Sequence, residues 1–383
     1  MNSRLNNSIS NLILIIMIAL NVLISFNSTL YNFYTDYSIY LTSMFIFSLL
    51  IFNIQDLKPK EIGYIFFLAV YLLLDSVIYT HSYGSSATIL LSILLIITIS
   101  KIRISREFFS ILHVLMIILN VFLFYKSFAY KNNWIINSNS INSNQLAMNM
   151  FISFLYIMIL SRNFKLSKII EIVFIFINIL GINNFGSRTT YIALFFFLIM
   201  RYLISKEILF KKAEFRMIYY LVVIFSIIVP CVYVYIWKNS MNFGIDLMGK
   251  RFFTGREIMW NELFNSLNSI PKVLFGLGDN MVYSNGLLNT HNVSLHIIMS
   301  CGLIGCIFYY MFIFNKFELG TKSKFGVNTL RIDCLIAFLA TIVYGYFENP
   351  LQTNRMLFIY LFISIFINEH LINTENEFKI LKK

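Results

Sequence analysis

Charge is scarce in this sequence. Only 13% of its 383 residues are Asp, Glu, Lys or Arg, while 58% are hydrophobic and mean hydropathy is +0.74. Soluble globular domains carry about 25% charged residues, so a water-soluble domain is excluded. Strand-like alternation is also lacking, which excludes a membrane β-barrel. Backbone amides find no water in hydrocarbon, so the architecture that remains is a bundle of helices. The four cysteines (Cys231, Cys301, Cys306, Cys334) fall in apolar runs without a Cys-x-x-Cys pair. They read as small buried hydrophobes rather than a disulfide or zinc framework. The loops on the side that will be called outer hold no Asp-x-Asp or His-x-x-x-His pattern. No metal or cofactor is therefore expected, and an anionic leaving group there has to be met by arginine instead of Mg²⁺.

What is present is a series of apolar runs. Twelve spans are predicted, at about 9–27, 37–54, 62–80, 85–99, 108–130, 145–161, 168–184, 188–205, 217–237, 292–314, 331–348 and 354–370. The fourth and eighth are short for a bilayer. With the N-terminus in the cytoplasm, the inner segments carry 21 of the 30 lysines and arginines. The positive-inside rule thus accounts for the net charge of +12 without nucleic acid, and puts both termini inside. The fold class is an all-α polytopic membrane protein of about twelve transmembrane helices, with the lipid bilayer as its partner. Residues 1–237 form the first nine spans, 238–291 one large extracytoplasmic loop, and 292–383 the last three spans and a tail. The first span lacks a cleavage site and reads as a retained helix.

The long loop is where water-exposed chemistry concentrates. Its charges nearly cancel, so individual residues matter more than a field. Thr254 and Glu257 form a capping-box pattern that predicts a helix start. Met259, Leu263, Leu267 and Ile270 recur at helical spacing, and Pro271 predicts the end. An amphipathic helix capping the bundle or lying on the membrane follows. Arg256 stands in its first turn, where amides and a guanidinium suit an anion; pairing with Glu257 or Asp279 is the plainer reading. His291 ends the loop, and histidine is the side chain type whose reference pKa, about 6.5, suits a general base.

Other outliers sit at the same end of the bundle. Arg188 follows Asn183-Asn184-Phe185-Gly186-Ser187 in a short outer turn. Arg355 lies near Glu348-Asn349-Pro350 in the last outer turn, and Asp75 is a carboxylate in the outer third of the third span. All three candidates (Arg355, Glu348, Asp75) read as cavity-lining residues, Arg355 with a structural pairing to Glu348 as the alternative and Asp75 with a pairing to Lys126. The Asn/Ser-rich link 132–145 reads as a flexible spacer. Gly302-Leu303-Ile304-Gly305 reads as small residues that let helices approach closely.

Taken together, Gly186-Ser187-Arg188-Thr189, Thr254-Gly255-Arg256 with Trp260, Phe275-Gly276-Leu277-Gly278 and His291-Asn292-Val293-Ser294-Leu295 followed by Gly302-Leu303-Ile304-Gly305 resemble the O-antigen ligase and Wzy-type polymerase superfamily. The resemblance covers roughly residues 186–315. It implies a GT-C-like, metal-independent glycosyltransferase of the bacterial inner membrane. Its substrates would be an undecaprenyl-pyrophosphate-linked oligosaccharide donor and acceptor, with a chain-length regulator as a further partner. It also implies that His291 activates the acceptor hydroxyl, and that Arg188 and Arg256 hold the pyrophosphate.

Overall fold

In the computed structural model, residues 3–79, 84–131, 142–163, 168–204, 208–209, 211–239, 246–247, 250–251, 253, 255–278, 290–321, 329–350 and 353–367 are described. The chain is helical: α1 (Ser3–Phe26), α2 (Ser28–Asn53, continued by a 3₁₀ turn Ile54–Asp56), α3 (Pro59–Tyr79), α4 (Gly84–Ile99), α5 (Arg106–Lys131), α6 (Ser143–Asn163), α7 (Lys168–Phe185), α8 (Arg188–Tyr202) and α9 (Lys212–Asn239) come first. A two-residue antiparallel pair, Asp246–Leu247 with Lys250–Arg251, follows. Then come two short helices, α10 (Arg256–Ser266) and α11 (Ile270–Phe275), and finally α12 (Val293–Thr321), α13 (Thr329–Tyr344) and α14 (Thr353–Ile367).

Helices occupy each of the twelve apolar segments predicted from hydropathy, and among the described residues seven are long and apolar enough to cross a membrane. Two more, Ala87–Ile99 and Arg355–Ile367, are apolar but shorter. The centre of the bundle is α6, α13 and α14, whose side chains are buried nearly all round. Large apolar side chains such as Tyr40, Phe66 and Ile51 are instead about 70% exposed on α2 and α3. Such faces are costly in water and natural against lipid tails.

With no hydrophobic drive between helices in lipid, small and amide-bearing residues do the joining. Asn120 of α5 donates to Met150 O (3.0 Å) and Ser153 Oγ (2.9 Å) of α6 and to Asn178 Oδ1 (3.2 Å) of α7. The bundle is also clamped by charges at one end. Arg201 reaches Glu171 (3.1 Å) and Asp333 (3.7 Å), and Glu61 takes Lys101 and Lys316 at 2.5 and 2.7 Å. Arg188 opens α8 and Arg201 nearly ends it, so at 1.5 Å per residue they lie about 20 Å apart. The Arg188 end is therefore a separate region from this ionic clamp.

Three details of packing depart from the sequence reading. Pro271 does not end the loop helix: α10 stops at Ser266, and Pro271 sits in the first turn of α11, where its missing N–H costs nothing. Ile270 consequently lies 76% exposed, off the buried face of α10. That face is Met259, Trp260 and Leu263, packed with Tyr233, Val234, Leu295 and Met299, while Ile258 next to it is exposed. The helix thus caps α9 and α12 and carries apolar residues on both sides, so it lacks the clean amphipathic division expected. Of the cysteines, Cys231 is exposed on α9, whereas the other three are buried.

Gly302 of α12 serves the close helix approach expected of it, and the approaching helix is α11. The helix breaks at Cys301 (φ −141°) and Gly302 (φ 65°, ψ −175°). A Cβ on Gly302 would stand 2.1 Å from Leu274 O, and one on Gly276 would stand 2.7 Å from Gly302 N. Only glycine at both positions lets the α11 backbone enter the break, where Leu277 N donates to Met299 O at 2.6 Å. The break also frees the Cys301 carbonyl, which accepts from the Tyr71 hydroxyl at 2.8 Å.

Candidate functional site

At the Arg188 end, three turns meet: the start of α10, the residues before α12, and the turn after α13. Asn292 is the N-cap of α12, its Oδ1 accepting from Leu295 N at 2.8 Å. Its amide donates to Ser226 O (2.8 Å) and Tyr346 O (2.9 Å), and Val293 N donates to Gly345 O (2.9 Å). On the other flank, the Trp260 indole donates to Thr290 O (2.7 Å) and the Thr290 hydroxyl to Asn292 O (2.9 Å). Between these fixed neighbours His291 has φ 49°, the one non-glycine in the left-handed region among the described residues. Such a backbone costs of order 1–3 kcal/mol and persists only where its surroundings over-determine it. Here they aim the imidazole at Glu348.

Glu348 is the hub. Its Oε2 meets His291 Nδ1 at 2.9 Å; its Oε1 meets Arg256 Nη2 at 2.5 Å and accepts from Asn144 Nδ2 at 2.9 Å. Burial pushes the carboxyl up, but the His291 hydrogen bond and the Arg256 charge outweigh that, and it lies below its ordinary value of 4.5. It is thus a carboxylate. His291 Nδ1 is the ring nitrogen engaged with this carboxylate. The three side chains are 10–24% exposed, shielded enough to strengthen their electrostatics and open enough to be reached.

Arg256 begins α10 behind Gly255, whose φ of 91° is open to glycine. Glu257 turns back so that its Oε1 accepts from Gly255 N at 2.9 Å. The N-cap is therefore Gly255 rather than the expected Thr254, which lies outside the described residues, and Glu257 serves that cap's own amide one residue away from the expected capping box. Glu257 therefore serves the backbone, and Arg256 pairs with Glu348. Asp279, its other expected partner, lies outside the described residues. Arg188 lies within electrostatic range of Arg256 and of Tyr233. Two guanidiniums within electrostatic range of each other are the kind of pair that suits a multiply charged anion.

The structure thus brings Arg188, Arg256, His291 and Glu348 together. Arg355 is 3% exposed at the start of α14, and its Nε donates to Asn149 Oδ1 at 3.1 Å. It belongs to the same neighbourhood, since Tyr344 lies within the electrostatic reach of Glu348, Arg355, Arg256 and Tyr31. The Asp75 side chain lies outside the described residues; Lys126 meets Phe26 O (3.4 Å) and the face of Phe122. Asn144 is the residue that sequence reasoning passed over. It sits at the end of the Asn/Ser-rich link, in the first turn of α6, and holds the hub carboxylate instead of serving as spacer.

Chemically, the arrangement provides a carboxylate-oriented imidazole beside two guanidiniums. It is suited to taking a proton from a nucleophile while stabilising an anion that departs. Among the described residues no cluster of three or more His, Cys, Asp or Glu able to hold a metal is found. Comparison of the chain with protein-family models, curated proteins and solved structures finds no match.

Proposed function

We propose that this protein is a polysaccharide repeat-unit polymerase of the O-antigen or capsule kind, acting on undecaprenyl-pyrophosphate-linked glycan at the outer face of a bacterial inner membrane. On this reading all twelve apolar helices cross the bilayer, both termini are cytoplasmic, and the Arg188 end faces outward. The acceptor hydroxyl of a lipid-linked repeat gives its proton to His291 Nε2 while its oxygen bonds to the anomeric carbon of the donor. The bond from that carbon to the pyrophosphate oxygen breaks, and the pyrophosphate leaves with the electron pair toward Arg188 and Arg256. In-line displacement of an α-linked donor inverts the anomeric centre.

The observation that carries the reading is Glu348 joining His291 and Arg256 at 2.9 and 2.5 Å, with Arg188 in range. Base and anion receptor are thereby coupled through one carboxylate. The test is reconstitution of the purified protein with a defined lipid-linked repeat. Ladders of repeats on undecaprenyl pyrophosphate support a polymerase; transfer of preformed glycan onto a different acceptor supports a ligase using the same donor; movement of unaltered substrate across the bilayer supports a flippase. One feature favours transport, the break in α12, because broken helices line many transporter sites. That break is filled by the α11 backbone, so it does not present the open binding site a transporter would need there.

A further inference from the structure

Of the four prolines, Pro230 is the one that lies in the interior of a described helix, α9. A proline there supplies no N–H to the carbonyl four residues earlier, Ser226 O, and its ring crowds that oxygen and tilts it away from the helix axis. In a lipid-embedded helix the freed carbonyl needs a donor from a neighbour. Asn292 provides it, its amide donating to Ser226 O at 2.8 Å with both residues fully buried.

That bond ties α9 to the residue next to His291. The other Asn292 amide hydrogen goes to Tyr346 O at 2.9 Å, two residues before Glu348. Tyr346 is itself held on α9, since its hydroxyl donates to Val222 O at 2.8 Å, about one helical turn from Ser226. The helix is therefore a common post: Ser226 O fixes the His291 side of the site and Val222 O fixes the Glu348 side. Between them Val293 N donates to Gly345 O at 2.9 Å, at a contact where a Cβ on Gly345 would stand 2.6 Å from Val293 Cγ1. Beyond the proline, α9 reaches the other flank of the site, where Tyr233 meets Trp260 edge-on at 5.3 Å and Phe347 at 6.1 Å. A proline kept for helix packing alone needs any donor at its freed carbonyl. Here the donor is the N-cap of α12, whose remaining bonds go to Leu295 N and to the Glu348 turn.

We propose that Pro230 is a positioning residue for His291: by freeing and tilting Ser226 O it creates the anchor for Asn292, and together with Tyr346 on Val222 O it sets the imidazole against Glu348. The left-handed backbone of His291, φ 49°, is held on one side by this anchor and on the other by the Trp260 bond to Thr290 O. The positioning stands on the hydrogen bonds themselves, and its effect on turnover rests on the glycan-polymerase reading.

The experiment compares wild type, Pro230→Ala and Tyr346→Phe as full-length proteins in lipid nanodiscs, with the histidine rings labelled with ¹⁵N. The His291 signals are identified by their loss in His291→Ala. Pro230→Ala returns an N–H to the helix and lets Ser226 O turn back along the axis, while Tyr346→Phe removes the hydroxyl alone. Both are expected to shift the His291 ring signals and to leave those of His113, on α5, in place. In the ladder assay kcat is expected to fall about fivefold or more with KM for the lipid-linked donor about unchanged, the pattern of a lost transition-state contact. Because proline is the poorest residue for a helix interior, Pro230→Ala is expected to keep or raise the unfolding temperature, which separates a misplaced imidazole from a damaged fold. His291 ring signals that match wild type in both variants would overturn the proposal, even alongside a fall in kcat. Should Pro230→Ala fail to fold, Tyr346→Phe decides by the same signals. The two readings fail separately: ring signals that move in a protein that builds no ladder remove the polymerase reading alone, and ladders from wild type with unmoved signals in the variants remove the positioning device alone.

Discussion

Replacing Glu348 with glutamine preserves the side chain's shape while removing the charge shared by Arg256 and His291. Two unit charges about 4 Å apart at an effective dielectric near 20 interact by about 4 kcal/mol. The partners are 15% and 24% exposed and the amide oxygen still accepts a hydrogen bond, so the expected loss of stability is about 2–3 kcal/mol. The catalytic loss is larger in proportion. Without the carboxylate, Nδ1 loses the acceptor that orients it and supports the imidazolium, and a general base contributes roughly 10²–10⁴ in rate. Turnover in Glu348→Gln should fall about 100-fold or more, with KM for the lipid-linked donor changed only a few-fold. Thermal unfolding in nanodiscs and timed ladder formation measure the two effects, and Glu348→Asp should recover part of the rate. The pH dependence provides a further check. Because the folded carboxyl lies below 4.5, its stabilisation is complete above that pH and is lost as pH falls through the lower folded value. The glutamine variant should lack this acid-side loss. Wild-type turnover in Glu348→Gln would refute the role given to the hub.

Further predictions follow from single contacts. Gly302→Ala places a Cβ 2.1 Å from Leu274 O at a φ of 65°, and should cost about 3 kcal/mol or more, read as a large drop in unfolding temperature. Asn120→Ala removes four interhelical hydrogen bonds and should cost about 1–2 kcal/mol in the same assay, with ladder chemistry unchanged in the folded fraction. Trp260→Phe keeps the packing but frees Thr290 O; it should lower turnover several-fold through His291 while costing about 1 kcal/mol of stability. Arg188→Gln should weaken protection of the protein by inorganic pyrophosphate about tenfold or more, and Arg188→Lys should restore only part of it.

The bundle was legible because hydropathy is local: an apolar run of helical length marks its own segment, and all twelve runs are helical. The site was only half legible. Arg188, Arg256 and His291 stand out as polar residues at apolar boundaries. Glu348 is as visible in the sequence, yet its importance comes from partners 57 and 92 residues away, and no spacing encodes that meeting. Asn144 was hidden by composition, since one amide in an Asn/Ser-rich stretch looks like its neighbours. Pro271 was misread because proline ends a helix when it falls in the interior but starts one comfortably in the first turn. Gly302 signals close approach in either reading; only the coordinates place the α11 backbone as the approaching group.

The central claim is that an imidazole, oriented by a carboxylate, activates a sugar hydroxyl while arginines receive pyrophosphate. Its most direct measurement is polymer formation by purified His291→Ala protein supplied with a single lipid-linked repeat, alongside wild type. The account predicts that wild type builds a ladder on undecaprenyl pyrophosphate, and that the variant, folded and still protected by inorganic pyrophosphate, leaves the repeat unextended. Ladders of wild-type length and rate from that variant would contradict it.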